Sequence, residues 1–206
     1  MNEKSTNNNS FTVLVTGDRD GKIRLWMVGS DVFSKRNFRH LGVYQSSTQS
    51  ATSYHLVTRA KFINDHMLVT GTNQGDIRIW CVEVKTNPGR SIGKGPLPKL
   101  KLRYDLMGQH SGSVEVCTNV GSVLLTSGGD DGKIIGWDVS SGMKIGTLSC
   151  HQGKELVHPG TGERVVVKSS VVDVVIDGNE GRLLSMCRDG TLGEWYFASA
   201  KRRSNL

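Results

Sequence analysis

Three residues in the middle of the sequence have the side-chain types of a hydrolase triad. They are His110, Ser127 and Asp131. In such triads a histidine activates the serine, and the aspartate orients the histidine. A triad also needs an exposed nucleophile and hydrogen-bond donors for the oxyanion, and nothing in this sequence supplies either. We therefore expect these three side chains to serve the structure and not a reaction.

A second pattern with a catalytic precedent is Gly89-Arg90-Ser91-Ile92-Gly93, which fits G-x-S-x-G. In hydrolases this motif lies at a turn between a strand and a helix. Here it lies in a loop rich in lysine, proline and glycine, with no predicted helix after it. We predict that Ser91 is not a nucleophile.

The remaining motifs that would indicate an enzyme or a metal protein are missing from the sequence. It contains no Walker loop, no HExxH and no paired-carboxylate pattern. Its four cysteines form no C-x-x-C pair, which argues against a zinc or redox site. The sequence thus predicts a protein without catalytic residues, metal or cofactor, whose cysteines behave as small buried apolar residues.

The elements that must position His110, Ser127 and Asp131 come from a sequence motif that occurs four times in the chain. It reads VLVTGDRDGKIRLW at 13–26, MLVTGTNQGDIRIW at 67–80, LLTSGGDDGKIIGW at 124–137 and LLSMCRDGTLGEW at 183–195. Each copy has an apolar run, a turn that ends in glycine, and an alternating stretch that ends in tryptophan. Glycine supplies the positive φ of a tight turn, and alternation is typical of a strand. Each copy therefore predicts a β-hairpin.

Further strands are predicted on both sides of these hairpins. They lie at 56–63, 114–119 and 170–176 before a hairpin, and at 38–44, 99–106 and 143–149 after one. The tryptophans recur every 54 to 58 residues, which is the mark of a repeat architecture. Four strands per repeat predict an all-β fold of the β-propeller type, because each sheet is covered by its neighbours.

The third copy resembles the repeats of the WD-repeat β-propeller family. It has the family's histidine, hydroxyl, turn aspartate and tryptophan at His110, Ser127, Asp131 and Trp137, and Trp137 is followed by Asp138. In that family the four side chains form a hydrogen-bonded structural tetrad that braces one blade. The resemblance implies further tetrad members in the other copies: Thr16, Asp20, Trp26, Thr70, Trp80, His151, Ser185, Asp189 and Trp195. The second copy departs from the pattern, with Gln74 at the turn and His55 as its nearest histidine.

The predicted organisation has three parts. Residues 1–10 are polar and predicted to be disordered, residues 198–206 form a basic tail, and blades lie at about 11–50, 51–108, 109–150 and 151–197. This gives fourteen strands, or three and a half to four blades, whereas propellers of the family commonly have seven. We therefore expect the chain to form part of a larger propeller, completed by a second copy or by a partner chain.

A basic surface is predicted on the bottom of the propeller, where the loops between third and fourth strands lie. The net charge of +7 fits an anionic partner. The candidate residues on the loops, the tail and the adjoining outer strand are Lys35, Arg36, Arg39, Lys85, Arg90, Lys94, Lys201, Arg202 and Arg203. These side chains are either simply solvated or they bind RNA phosphates or an acidic protein.

The top of the propeller is the second candidate surface. The central hairpin turns present Arg19, Asn73, Asp130 and Arg188 there. The long connection between His151 and Ser170 is predicted to contain a protruding hairpin with His158 exposed at its turn. Long loops on a rigid scaffold commonly carry binding functions.

Two classes of function remain open at this point. The first is a non-catalytic scaffold subunit of a multiprotein assembly, and the second is an RNA-associated subunit of a ribonucleoprotein. A narrower alternative is a ubiquitin-ligase substrate receptor, but such receptors resemble one another in Trp-Asp-x-Arg, and here Ser140 stands in place of the arginine. The sequence has no signal peptide and no apolar run long enough to span a membrane, which predicts a cytoplasmic or nuclear protein.

Overall fold

The computed structural model describes residues 12–28, 38–46, 55–85, 97–149, 154–167, 170–177 and 181–196. In these ranges every regular element is a β-strand. The strands are β1 (Thr12–Gly17), β2 (Lys22–Val28), β3 (Phe38–Gln45), β4 (Val57–Asn64), β5 (Met67–Thr72), β6 (Ile77–Lys85), β7 (Leu97–Leu106), β8 (Val114–Val120), β9 (Val123–Gly128), β10 (Lys133–Asp138), β11 (Lys144–Ser149), β12 (Lys154–Val157), β13 (Arg164–Val167), β14 (Val171–Asp177), β15 (Arg182–Cys187) and β16 (Leu192–Tyr196).

The strands form four antiparallel sheets and one ribbon. The first sheet is β1–β2–β3, the second β4–β5–β6–β7, the third β8–β9–β10–β11 and the fourth β14–β15–β16. We call these sheets blades one to four. Strands β12 and β13 pair only with each other, between blades three and four in the sequence. The fourteen predicted strands and the predicted protruding hairpin are thus present as predicted.

The apolar residues of the alternating strands form three clusters, one between each pair of neighbouring blades. Between blades one and two, Ile23 and Leu25 pack against Leu68 and Trp80. The other two clusters likewise combine buried apolar residues from two neighbouring blades. Val69, Ile79, Val114, Leu124 and Trp137 lie between blades two and three, and Leu125, Ile134, Val171, Leu183 and Trp195 between blades three and four. Both faces of an inner blade are therefore buried, as in a propeller.

Two glycines allow the inner strand of each following blade to approach closely. A Cβ atom on Gly17 would lie 2.5 Å from a methyl carbon of Val57, and one on Gly71 would lie 2.6 Å from Cβ of Val114. Val57 and Val114 are the first residues of β4 and β8. A side chain at Gly17 or Gly71 would push the neighbouring blade away.

Blades one and four have only three strands each among the described residues. The face of blade four that is turned away from blade three carries apolar side chains with large exposed fractions, such as Leu192 at 74% and Val175 at 58%. No helix in the described ranges has the length and apolarity needed to cross a bilayer. The predicted disordered segment 1–10 and the basic tail 198–206 lie outside the described residues.

Candidate functional site

A hydrogen-bonded chain of four side chains braces the third blade. The indole Nε1–H of Trp137 donates to Oγ1 of Thr126 at 2.9 Å, and Nε2 of His110 lies 2.9 Å from the same oxygen. The other ring nitrogen of His110, Nδ1, lies 2.8 Å from a carboxylate oxygen of Asp131. His110, Thr126 and Trp137 are buried. The brace therefore joins the segment before β8 to strands β9 and β10 and to the turn between them.

The prediction that Ser127 supplies the hydroxyl group of this brace is wrong. Ser127 is fully buried, and its Oγ–H donates to the main-chain oxygen of Val171 in blade four at 3.0 Å. The reason is one extra residue in the third hairpin. Trp137 pairs with Leu124 thirteen positions earlier, whereas Trp26 pairs with Leu14 twelve positions earlier. Counting forward from the apolar run, and not back from the tryptophan, would have identified Thr126.

In the other three blades the predicted bond between tryptophan and hydroxyl group is present. Nε1 of Trp26 donates to Thr16 Oγ1 at 3.1 Å, and Nε1 of Trp80 donates to Thr70 Oγ1 at 3.0 Å. Nε1 of Trp195 donates to Ser185 Oγ at 3.1 Å. A buried indole N–H needs an acceptor, so each blade satisfies its own tryptophan.

The first blade uses a different turn aspartate from the predicted one. Asp20 was predicted as a tetrad member, but its side chain is 65% exposed and lies 3.8 Å from the Nζ atom of Lys22. Asp18 instead accepts hydrogen bonds from the backbone N–H groups of Asp20 and Lys22, both at 2.9 Å, and from Arg24 at 2.6 Å. Asp20 is thus a surface residue, since Asp18 already closes the turn.

In the fourth blade, Asp189 closes the central turn. Its Oδ1 accepts hydrogen bonds from the backbone N–H of Thr191 at 3.0 Å and from the Thr191 hydroxyl group at 2.6 Å. Its predicted partner His151 lies outside the described residues.

The second blade has a brace that the sequence did not reveal. Oγ of Ser46 lies 2.6 Å from Thr70 Oγ1, where His110 contacts the hydroxyl group in blade three. Nδ1 of His55 lies 3.8 Å from Asp76, and Asp76 accepts the backbone N–H of Gly108 at 2.8 Å. The turn carboxylate that Gln74 cannot provide is therefore supplied two residues later, by Asp76.

A buried arginine also ties blade two to blade one. The guanidinium group of Arg78 donates to both carboxylate oxygens of Asp105, at 2.9 and 2.8 Å, and to the main-chain oxygen of Gln45 at 3.0 Å. The Arg78 side chain is only 6% exposed. The sequence showed Arg78 as one member of an alternating strand and gave no sign of its partners.

The electrostatics of the brace keep Asp131 ionised. Burial alone would raise the pKa of Asp131, but the hydrogen bonds from His110 and from the backbone N–H of Lys133 outweigh burial and lower that pKa below 3.8. An ionised Asp131 is a strong acceptor, so it fixes the ring orientation of His110.

The arrangement does not resemble a catalytic site. Ser127 is buried and its hydroxyl group is bonded to a carbonyl oxygen, whereas a nucleophile needs access to substrate. Burial raises the pKa of the Cys117 thiol to about 12 and that of Cys187 to about 11, so both are protonated at neutral pH. Within the described ranges no three histidine, cysteine or acidic side chains are grouped closely enough to hold a metal ion.

The four candidate residues of the top surface lie in equivalent turns but differ in role. Arg19, Asp130 and Arg188 are exposed. The Asn73 side chain instead accepts the backbone N–H of Leu56 at 2.7 Å and so ties its turn to the segment before β4. Three exposed charged side chains of mixed sign therefore project from one end of the blades.

The candidate basic surface is described only in part. Arg39 is exposed on β3, and Lys85 ends β6. The other predicted members lie outside the described residues: Lys35, Arg36, Arg90, Lys94, Lys201, Arg202 and Arg203. On the adjoining strand β7, Lys99 is exposed, whereas Lys101 lies 3.7 Å from Glu83 and Arg103 donates to the main-chain oxygen of Ser140 at 2.9 Å.

Comparison with known proteins agrees with the fold. The family model for the WD domain, G-beta repeat, matches residues 5–27. The WD40 β-propeller domain of Doa1 is similar in structure, with a TM-score of 0.51 and 18% identity over 90% of this chain and 48% of that one. The C-terminal WD40 domain of Sif2 has a TM-score of 0.50 and 17% identity over 90% of this chain and 54% of that one. This chain thus spans about half of the length of these structures, and none of the curated proteins compared with it matches its sequence.

Proposed function

We propose that this chain, a WD-repeat chain with part of a β-propeller, is a non-catalytic scaffold that binds other proteins. One observation carries the proposal. The side chains that could perform chemistry are His110, Asp131 and the neighbouring hydroxyl groups. All of them take part in hydrogen bonds within a blade or between two blades. Exposed side chains on the turns and on the ribbon are ones that a rigid scaffold can present to a partner.

We propose the top surface as the principal site of contact, with Arg19, Asp130 and Arg188 as its charged residues. The turns that carry the latter two are held in place by main-chain hydrogen bonds. The N–H of Asp130 donates to Ser111 at 3.1 Å, and the N–H of Arg188 donates to Ser170 at 2.9 Å. Such preorganised loops lose little entropy on binding. Their mixed charge favours a protein partner over a polyanion.

The test is affinity purification of the wild-type protein and of a variant with Arg19→Glu, Asp130→Lys and Arg188→Glu, with and without nuclease. We expect the wild type to retain protein partners after nuclease treatment and the variant to lose them. The matched control carries Lys99→Glu and Lys101→Glu on β7, which reverses two exposed charges away from the top surface, and it should retain the same partners. If the triple variant retained every partner, the top surface would not be the binding site.

The RNA-associated subunit is the second candidate. It is supported by the net charge of +7 and by the exposed cations Arg39 and Lys99 on the outer strands. It is weakened because Lys101 and Arg103 have partners within the protein. If RNA binds there, nuclease should release the partners, and the control variant should weaken RNA binding for all sequences alike, because phosphate contacts do not discriminate between bases.

A role as a ubiquitin-ligase substrate receptor has less support. Such receptors resemble one another in having an arginine two residues after the aspartate of the Trp-Asp pair. In this chain that aspartate is Asp138. Here Ser140 occupies that position, and its backbone N–H and hydroxyl group donate to the Asp138 carboxylate at 2.9 and 2.8 Å. The turn is thus closed by a serine that offers no cationic side chain to a ligase adaptor.

A further inference from the structure

Four Asp-Gly pairs occur in the sequence, and three of them lie in the central hairpin turn of a blade. These three are Asp20-Gly21, Asp131-Gly132 and Asp189-Gly190, and the fourth pair is Asp177-Gly178. An Asp-Gly link is chemically labile, because glycine has no Cβ atom to hinder attack of its backbone nitrogen on the preceding carboxyl group. The structure describes both residues of the three turn pairs, whereas Gly178 lies outside the described residues.

Two of the turn pairs are held by hydrogen bonds that oppose this reaction. The reaction needs a carboxyl group that can turn toward the main chain and a glycine N–H without an acceptor. In blade three, the Asp131 side chain is 6% exposed and lies 2.8 Å from Nδ1 of His110. In blade four, the Asp189 carboxylate accepts two hydrogen bonds from Thr191, and the N–H of Gly190 donates to a main-chain oxygen at 3.0 Å.

The pair in blade one has both reacting groups available. The Asp20 side chain is 65% exposed, and its carboxylate lies 3.8 Å from Nζ of Lys22, which is beyond hydrogen-bonding distance. Asp18, and not Asp20, accepts the hydrogen bonds that close this turn. The N–H of Gly21 has no acceptor in the described part of the chain. Neither reacting group would therefore have to give up a hydrogen bond.

We propose that Asp20 is a site of spontaneous aspartate isomerisation and that the product is a substrate for a protein-isoaspartyl methyltransferase. The nitrogen of Gly21 forms a bond to Cγ of Asp20, and its proton leaves with the hydroxyl group of the protonated carboxyl group as water. Water then opens the resulting succinimide ring. Attack at the side-chain carbonyl restores aspartate, and attack at the main-chain carbonyl gives isoaspartate with a free α-carboxylate. No electrons are transferred, and the composition of the chain is unchanged.

The isomerised turn would disturb a contact between blades one and two. The main-chain oxygen of Gly21 accepts the N–H of Ser46 at 2.7 Å, and Oγ of Ser46 lies 2.6 Å from Thr70 Oγ1 in the brace of blade two. Isoaspartate adds one methylene group to the main chain immediately before Gly21, which lengthens the turn by about 1.5 Å. Isomerisation at Asp20 therefore breaks the bond between Gly21 and Ser46 and lowers the melting temperature.

The experiment ages the folded wild-type protein for several weeks at physiological temperature and pH, with circular dichroism as the check that it stays folded. Purified protein-isoaspartyl methyltransferase and radiolabelled S-adenosylmethionine measure isoaspartate, and electron-transfer mass spectrometry assigns it to a residue. Asp20→Glu is the test variant, because its longer side chain would have to close a larger ring. Asp65→Glu is the matched control, because Asp65 is an exposed turn aspartate that is followed by histidine. A parallel wild-type sample is aged in urea.

In the folded protein we expect isoaspartate to form at Asp20 at least about tenfold faster than at Asp131 or Asp189, because those turns must first open. In urea the three pairs should react at similar rates, because the folded turns are lost. Asp20→Glu should remove the isoaspartate of the first hairpin, and Asp65→Glu should leave it unchanged. The aged wild type should melt below the fresh protein and should recover on incubation with the methyltransferase and S-adenosylmethionine.

Equal rates at the three pairs in the folded protein would overturn the proposal, because the contacts of the turns would then give no protection. Isoaspartate at Asp20 in the urea sample but not in the folded sample would overturn it as well. An aged protein that carries isoaspartate at Asp20 and melts like the fresh protein would refute the predicted loss of the contact with Ser46.

Discussion

The Thr126 hydroxyl group links two other side chains of the brace, His110 and Trp137. It accepts the indole N–H of Trp137 and contacts Nε2 of His110, both at 2.9 Å, and it is fully buried. A buried donor that loses its acceptor costs the full free energy of its desolvation. The hydroxyl group of the neighbouring Ser127 donates to a main-chain oxygen of the next blade.

Thr126→Val should therefore destabilise the protein more than Ser127→Ala. We expect a loss in the free energy of unfolding of about 2–3 kcal/mol for Thr126→Val, which leaves the indole N–H of Trp137 and Nε2 of His110 without their shared partner, and about 1 kcal/mol for Ser127→Ala. Urea denaturation measures both. Thr126→Ser restores the hydroxyl group and serves as the control. A larger loss for Ser127→Ala would assign the brace to Ser127 after all.

The loss of stability at acidic pH should depend on the protonation of Asp131. Its pKa is lowered in the folded protein, so the stabilisation it provides is present above the unfolded value of 3.8 and is lost as the pH falls through the folded value. Asp131→Asn should lower stability at neutral pH and flatten the loss of stability on acidification. Asp20→Asn is the matched control, since Asp20 holds the same place in the first hairpin but is 65% exposed. Equal effects of the two substitutions would contradict the role of Asp131 in the brace.

At the scale of elements, the four hairpins have the same turn glycine but different surroundings. Gly75 has a φ of +83°, and a Cβ atom there would lie 2.0 Å from the main-chain oxygen of His110. Gly190, at the same place in blade four, has a φ of +80° and no described atom within 4 Å of such a Cβ. The turn of blade two is thus packed under the start of blade three.

Gly75→Ala should cost much more stability than Gly190→Ala. Both substitutions carry the penalty of a left-handed backbone, about 1–2 kcal/mol, but only Gly75→Ala forces the main chain of His110 to move. The difference in the free energy of unfolding should exceed about 1 kcal/mol. Denaturant titration of the two variants measures it, and similar losses for both would show that the turn is not packed as described.

The hairpins could be predicted from sequence because their signals are local. The turn glycine, the alternating strand and the terminal tryptophan all lie within one short stretch, and every predicted strand is present. The brace was harder, because its members come from different elements. Thr126 was missed through one extra residue in a turn, and Ser46 because it reaches blade two from the end of β3.

At the scale of the whole molecule, neighbouring blades are joined by polar contacts as well as by their apolar clusters. Arg78 connects Asp105 of its own blade with the main chain of blade one. In addition, the Thr58 hydroxyl group of blade two donates to Val114 of blade three at 2.8 Å, and the Ser127 hydroxyl group of blade three donates to blade four. Such buried groups set the position of one blade relative to the next.

Removing the partner of Arg78 should loosen the junction between blades one and two. Asp105→Ala leaves a guanidinium group that is 6% exposed without its carboxylate, and we expect a loss of about 3–5 kcal/mol in the free energy of unfolding. Glu83→Ala breaks the exposed pair with Lys101 and should cost less than about 1 kcal/mol. Equal losses in urea denaturation would mean that the Arg78 pair does not hold the blades together.

The central claim is that His110 and Asp131 belong, with Thr126 and Trp137, to a structural brace and not to a catalytic set. A double-mutant cycle of Thr126→Val and Trp137→Phe tests it most directly. Thr126→Val leaves the indole N–H without its acceptor, and Trp137→Phe removes that N–H while keeping an aromatic ring. If the two groups bond as described, the double variant should be more stable than the sum of the single losses implies, by at least about 1 kcal/mol. Losses that add to within about 0.5 kcal/mol would contradict the brace.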